Sequence, residues 1–174
     1  MATKKTSIFT LTERLTITAA DTATFATIDL GSYVDVGDRQ ALQVHSVDFI
    51  FQGKAADLPL LASLGNGQVT VQVADLNRGA LVFADDRALV ASAQLIHDND
   101  GYIGQETDMY PDNFGKGSDD GRFVVNDQLY ITGESSSVLA NGEINCTVRV
   151  NASIVTLSSK DFMAIAIQST AADN

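Results

Sequence analysis

The sequence predicts an all-β protein built as a two-sheet antiparallel β-sandwich. Three observations predict it. From Glu143 to Ile154 the chain alternates without a break, with Ile144, Cys146, Val148, Val150, Ala152 and Ile154 on one side and Glu143, Asn145, Thr147, Arg149, Asn151 and Ser153 on the other. That is the period of a strand with one dry and one wet face. No apolar stripe of helical period runs longer than about two turns. The extended runs are separated by Gly, Asp and Asn, with thirteen Gly and only two Pro in the chain, so turn chemistry punctuates it at short intervals.

Taken in order, Phe9, Leu11, Leu15 and Ile17 alternate with Thr10, Thr12, Arg14 and Thr16, which reads as a long first strand. Ala19-Ala20-Asp21-Thr22 breaks it, and Thr24 to Leu30 resumes as a second. Gly31 to Gln40 is a turn-rich connection. Ala41 to Gln52 reads as a buried strand with bulk on both faces, Val47, Phe49 and Phe51 on one and Leu42, Val44 and Ile50 on the other. Such a strand is expected to be packed on both sides. Lys54 to Asn66 is a short helix or a covering loop, because Pro59 argues against a regular strand. Gln68 to Ala74 alternates through Val69, Val71 and Val73, and Leu89 to His97 is a further extended run. Asp98 to Gly121 is the one long irregular stretch, and it is acidic. Phe123 to Ile131 reads as two strand pieces around Asn126-Asp127. The strand at 143–154 follows, and Asp161 to Gln168 closes the chain as a last extended run. The total is about eight strands, and with one large insertion this count favours a jelly roll over an Ig-like Greek key. A short N-terminal arm, 1–7, then leads into a single domain, 8–174, with a long acidic loop at 98–121.

A chain of 174 residues that is 45% hydrophobic fits one such domain with a real core. Eleven basic against twenty-two acidic residues give a formal charge of −11. That surface repels phosphate, so sequence-independent binding of nucleic acid through the bulk surface is disfavoured. The acidity serves solubility or a salty surrounding, or it marks carboxylate clusters that bind divalent cations at subunit contacts. The single cysteine, Cys146, lies on the apolar side of the strongest strand and is expected to pack as a small hydrophobe. No apolar h-region follows Lys4 and Lys5, and no run is long enough to cross a bilayer, so neither a signal peptide nor a membrane span is expected.

Catalysis finds little footing. His45 and His97 are the only histidines, no Gly-x-Ser-x-Gly elbow accompanies them, and His45 alternates in phase with Val47 and Phe49 as a buried, satisfied histidine would. A glycosidase carboxylate pair meets in space rather than in order, but with no Trp to stack sugars and a single long loop the chain offers little for it. Phosphate-binding glycine motifs and zinc-ligand spacings do not occur. Asn145-Cys146-Thr147 and Asn151-Ala152-Ser153 match the glycosylation pattern but lie inside a strand, so both read as chance. No catalytic residue and no cofactor is expected. Asp98-Asn99-Asp100-Gly101 reads first as a turn. An EF-hand is rejected, because Ile96 and Thr107 would stand where that loop needs carboxylates. An irregular Ca2+ site, if one exists, would draw on Asp98, Asp100, Glu106 and Asp108.

The lead MATKKTSIFTLTERLTI runs straight into a strand. The connector Tyr33-Val34-Asp35-Val36-Gly37-Asp38-Arg39-Gln40 enters LQVHSVDFIF, and an aspartate-rich insertion precedes Phe123 to Ile131. Val148 to Gln168 then makes a hydrophobic finish. In this layout the chain resembles the single jelly-roll major capsid proteins of small icosahedral viruses. The resemblance covers most of the chain and rests on no short motif. It implies a self-assembling coat protein of the virion, made in the host cytoplasm, whose partner is many copies of itself. Phe49, Phe51, Tyr102, Tyr110 and Phe114 would be its subunit contacts. Crowded carboxylates would then call for divalent cations or salt. The chain departs from many such proteins in lacking an arginine-rich arm, with only Lys4 and Lys5 there, so a packaged genome would be engaged indirectly. The rivals are a carbohydrate- or ligand-binding β-sandwich of the adhesin kind, and a virion protein outside the shell such as a tail-tube or spike subunit.

Overall fold

Two five-stranded antiparallel sheets face each other across one apolar core. The computed structural model describes residues 2–55, 66–98, 102–107, 121–136, 139 and 142–171. The first sheet holds β2 (Phe9–Ile17), β10 (Ile144–Thr156), β4 (Gln40–Gln52) and β8 (Arg122–Val124) in that order, with β1 (Thr3–Lys4) continuing the edge beside β10. The second runs β3 (Thr24–Asp29), β9 (Gln128–Ser135), β5 (Gly67–Ala74), β6 (Leu89–His97), β7 (Ile103–Thr107). From β2 onward and apart from the β5–β6–β7 run, successive strands fall in alternate sheets, the strand order of a jelly roll. The expected fold class is the observed one.

The alternation of β10 does what its pattern dictates. Ile144, Cys146, Val148, Val150 and Ala152 enter the core against Leu15, Ile17, Val69, Val71, Val73, Leu129 and Ile131. Each Val, Leu or Ile among them, fully buried, contributes about 1.5–3 kcal/mol. Thr10 donates to Asn151 and Thr16 to Asn145, both at 2.7 Å, so polar rungs lie on the wet face of the same ladder.

The two-faced reading of Ala41 to Gln52 is corrected by a β-bulge. Asn151 pairs with Ser46 and Ala152 with Val44, so His45 is the extra residue on β4. A bulge shifts the parity of everything after it. Leu42 and Val44 before it, and Val47, Phe49 and Phe51 after it, therefore all pack on the inter-sheet core. His45 is left on the outer side, where its Nε2 lies 2.9 Å from Ser153 Oγ.

The end of the chain is also corrected. Asp161 to Gln168 is not a strand but part of helix α1 (Ser159–Ala171). Ser158 starts it with a cap: its Oγ accepts from the Asp161 N–H at 3.1 Å and donates to Asp161 Oδ2 at 2.7 Å. Helical turns carry Phe162, Ile165 and Ala166 onto Ala41, Val125, Val155 and Leu157, a second small core on the outer face of the first sheet. A third correction concerns the 98–121 stretch, where 103–107 forms strand β7 against β6. Most of Lys54 to Asn66, expected as a helix or loop, lies outside the described residues.

Candidate interaction surface

One end of the sandwich gathers the connections 30–39, 75–88 and 125–127 and the exit into α1. Leu30 N–H donates to the Asp127 carbonyl at 2.7 Å, Asn126 Nδ2 to the Asp75 carbonyl at 2.6 Å, and Leu157 N–H to the Arg39 carbonyl at 3.0 Å. These bonds tie loops from both sheets into one surface.

Its centre is an ion pair between buried Asp75 and partly exposed Arg122. Arg122, from β8, reaches Asp75 Oδ2 at 3.2 Å and also donates to the Arg87 carbonyl. Asp75 N–H donates to the Ala88 carbonyl at 2.9 Å, closing the neck of the 75–88 loop. Asp75 Oδ1 is buried without a partner among the described residues. Burial raises the Asp75 pKa above the usual carboxylate range, against the opposing pull of the Arg122 charge.

The 75–88 loop folds back over the outer face of the second sheet, held by Gln72. The Gln72 amide accepts from Val82 N–H and donates to the Val82 carbonyl, both at 2.8 Å. The next turn is held as firmly: Asp86 N–H donates to the Phe83 carbonyl at 3.0 Å, and the Asp86 carboxylate accepts from Arg78 Nη2 at 3.2 Å and from the Ala88 N–H at 2.8 Å. Between these pins the Phe83 side chain stands 88% exposed, and on the same end of the molecule Val36 is 66% exposed. Arg87 is exposed four residues on. Sequence reading did not single out 75–88, because a connection with no period gives no pattern to read. The only available signal was Leu81-Val82-Phe83, an apolar triplet set among Asp, Asn, Arg and Gly.

The expected site residues fall in different places. Phe49 and Phe51 spend much of their surface on the subunit's own core, because the bulge turns them inward. Tyr102 is 73% exposed, beside exposed Ile103 on β7. Tyr110 and Phe114 lie outside the described residues, as do Asp100 and Asp108 of the expected cation set and the side chain of Glu106. Asp98 accepts from the Tyr102 N–H at 3.0 Å, which is the turn chemistry its sequence suggested. Among the described residues no three His, Cys, Asp or Glu side chains stand close enough to hold a metal ion. No described helix is long and apolar enough to cross a membrane.

Two further titratable groups, His97 and Cys146, are interior. His97 is buried with its Nε2 lacking a partner among the described residues, and burial lowers its pKa, with Asp98 pulling the other way. Burial pushes the Cys146 thiol up to about 12, so it stays protonated and packs as a hydrophobe.

No family model matches the chain, and no curated protein does. Among solved structures it is similar to the VP1 protein of Trichodysplasia spinulosa-associated polyomavirus in complex with 3'-sialyllactose, with TM-score 0.46 and 11% identity, covering 90% of this chain and 97% of that one. It is similar to Merkel cell polyomavirus VP1 in complex with GD1a oligosaccharide, with TM-score 0.47 and 10% identity over 90% of this chain and 98% of that one. An unassembled Merkel cell polyomavirus VP1 pentamer gives TM-score 0.46 and 10% identity over the same shares of the two chains. These are jelly-roll capsid proteins, and the likeness to them is one of fold.

Proposed function

We propose that this chain is a structural subunit of a virion: a coat protein whose copies join edge to edge into an icosahedral shell, with no catalysis of its own. The observation that carries the reading is the set of large apolar side chains that a subunit with a filled core leaves in water. Phe83, Tyr102 and Val36 are the most exposed of them. Transfer from water returns about 25 cal/mol per Å² of apolar surface, and a symmetric shell repeats each contact in every copy. The jelly-roll strand order supports the same reading, since it closes two sheets into a wedge with connections gathered at its ends. A formal charge of −11 makes copies repel one another, so assembly requires salt or divalent cations to screen the carboxylates. A packaged genome is neutralised mainly by other cations, because Lys4 and Lys5 are the two basic residues of the 1–7 arm.

The test is sedimentation velocity and negative-stain electron microscopy of the purified chain, across sodium chloride and calcium concentrations. Closed particles are expected. A monomer under every condition overturns the proposal, and open tubes replace the shell with a tail-tube assembly.

A further inference from the structure

Strand β2 is an edge to which a second copy of itself is complementary, and we infer that two subunits join there, β2 against β2 about a two-fold axis, to make one continuous sheet. The inference rests on the assembly reading above and assigns one contact of it.

The direction of the main-chain groups follows from a single bond. The Ile154 carbonyl accepts from Lys5 N–H at 2.8 Å, so Ile154 turns its polar groups toward the side of β10 that holds β1 and β2. By alternation Val150, Val148 and Cys146 do the same, and they bond their register partners Leu11, Glu13 and Leu15. The rungs at Thr10–Asn151 and Thr16–Asn145 are of the closer, unbonded kind, and there the side chains meet at 2.7 Å instead. Thr10, Thr12, Arg14 and Thr16 therefore aim their N–H and C=O groups away from β10. No described strand pairs with that side of β2, and Thr10, Thr12 and Arg14 are exposed.

Native sheets blunt such edges by keeping them short, bulged or broken by Pro. Here β2 runs nine residues without Pro or Gly, and its ladder on β10 carries no register shift. The other edges β3, β7 and β8 are six, five and three residues long. A regular row of unpaired main-chain donors and acceptors is complementary to another extended chain.

The charges of β2 select β2 itself as that chain. They are Glu13 and Arg14, which leave the strand neutral in a molecule of formal charge −11. An antiparallel pair centred on Glu13 would set Glu13 against Glu13, and one centred on Arg14 would set two guanidinium groups together. Centred on Thr12, the pair joins Phe9 to Leu15 of both copies, with Arg14 opposite the partner's Thr10 and Glu13 opposite the partner's Leu11. No like charges then meet. Centres nearer Phe9 pair fewer residues. The inward carboxylate of Glu13 thus fixes the register, and Phe9, half-buried in the single subunit, comes to lie beside the partner's Leu15. Such a contact is isologous and closes as a dimer.

The experiment uses the full-length chain carrying Thr12→Cys, Thr10→Cys or Thr12→Pro beside the wild type. Cys146 is buried, so the introduced thiol is the accessible one. In the Thr12-centred register the two copies of position 12 stand about 5.5 Å apart at Cα, within disulfide reach. The two copies of position 10 stand about 14 Å apart, beyond it. The cysteine variants are oxidised with copper phenanthroline under associating conditions and resolved on a non-reducing gel, with circular dichroism to confirm the fold. Thr12→Cys is expected to yield at least tenfold more cross-linked dimer than Thr10→Cys. Thr12→Pro removes an outward N–H and no bond to β10, and sedimentation velocity should show it needing at least tenfold more protein to associate. If the wild type assembles but Thr12→Cys cross-links no better than Thr10→Cys, the inference falls while the shell reading stands. A correctly folded Thr12→Pro that associates as the wild type does overturns it as well. If the wild type stops at dimers that Thr12→Cys cross-links, the shell reading falls and this contact stands. A wild type that stays monomeric removes both.

Discussion

His45 on β4 and Ser153 on β10 face each other across a bulge, with Nε2 and Oγ 2.9 Å apart and both residues buried. The histidine occupies the extra position that lets Leu42 and Phe51, nine residues apart, share one core face. Ser153 Oγ has a second, longer contact of 3.4 Å to Gln43 Oε1. Replacing His45 by Ala keeps the residue count and hence the parity, but leaves the hydroxyl of Ser153 poorly satisfied. A loss of about 1–3 kcal/mol is expected in urea unfolding. Deleting His45 is expected to be tolerated, because it removes only the bulge: Val44, Ser46 and Val47 keep their partners on β10, Leu42 and Phe51 become eight positions apart on a regular strand, and a soluble folded protein should be recovered.

Gly133 on β9 lies beneath β2. A methyl group there would collide with the Leu15 side chain and come within 2.9 Å of Ile17 Cδ1. Gly133→Ala should therefore cost about 1–3 kcal/mol by overpacking. In a double-mutant cycle, Leu15→Ala should recover part of that cost, since the cavity it opens admits the new methyl. Thermal melting of the four proteins reads the coupling directly. Gly121 is constrained differently: at φ +104 any side chain is strained, and a Cβ would also lie 2.6 Å from the Val44 carbonyl oxygen.

Two buried groups set opposite slopes of stability against pH. His97 has a lowered pKa when folded, so its contribution is present above the unfolded value of 6.5 and is lost as pH falls through the folded value. Asp75 has a raised pKa when folded, so its contribution is complete below 3.8 and is lost as pH rises through the folded value. Urea midpoints measured from pH 8 downward should first fall with His97, and Asp75→Asn should remove the part of the acid profile that opposes further loss. Arg122→Met should destabilise by about 3 kcal/mol at neutral pH, because it strands a buried carboxylate, and by less in acid, where Asp75 carries a proton.

Cys146 should not react with iodoacetamide at pH 8 in the folded protein, since its thiol is buried and its pKa stands at about 12. Stoichiometric labelling should appear only across the urea transition. Labelling at low denaturant would mean that β10 opens locally.

Gln72→Ala leaves Phe83 in place but removes both bonds to Val82. Amide exchange at 80–84 should accelerate. A mutation acting only on global stability would instead speed exchange throughout β5 and β9.

The extended runs that became β2, β3, β5, β6 and β10, the dry side of β10, the interior place of Cys146 and the burial of His45 were legible because alternation is a local property. A strand half in water and half in oil must write a period of two into its residues. The pairing of β10 with both β2 and β4 joins residues about 90 to 140 positions apart, and nothing local specifies it. A bulge leaves no local mark either, so parity along β4 could be assigned only once β10 lay beside it. The helix at 159–171 was missed because its buried side is two-sided and short, and only the sheet beneath it shows which face is covered. The Phe83 loop has no period at all. Its conformation comes from Gln72 on β5, ten positions before Val82, and from Arg122 on β8, whose contacts to Asp75 and the Arg87 carbonyl exist only after the two sheets have closed.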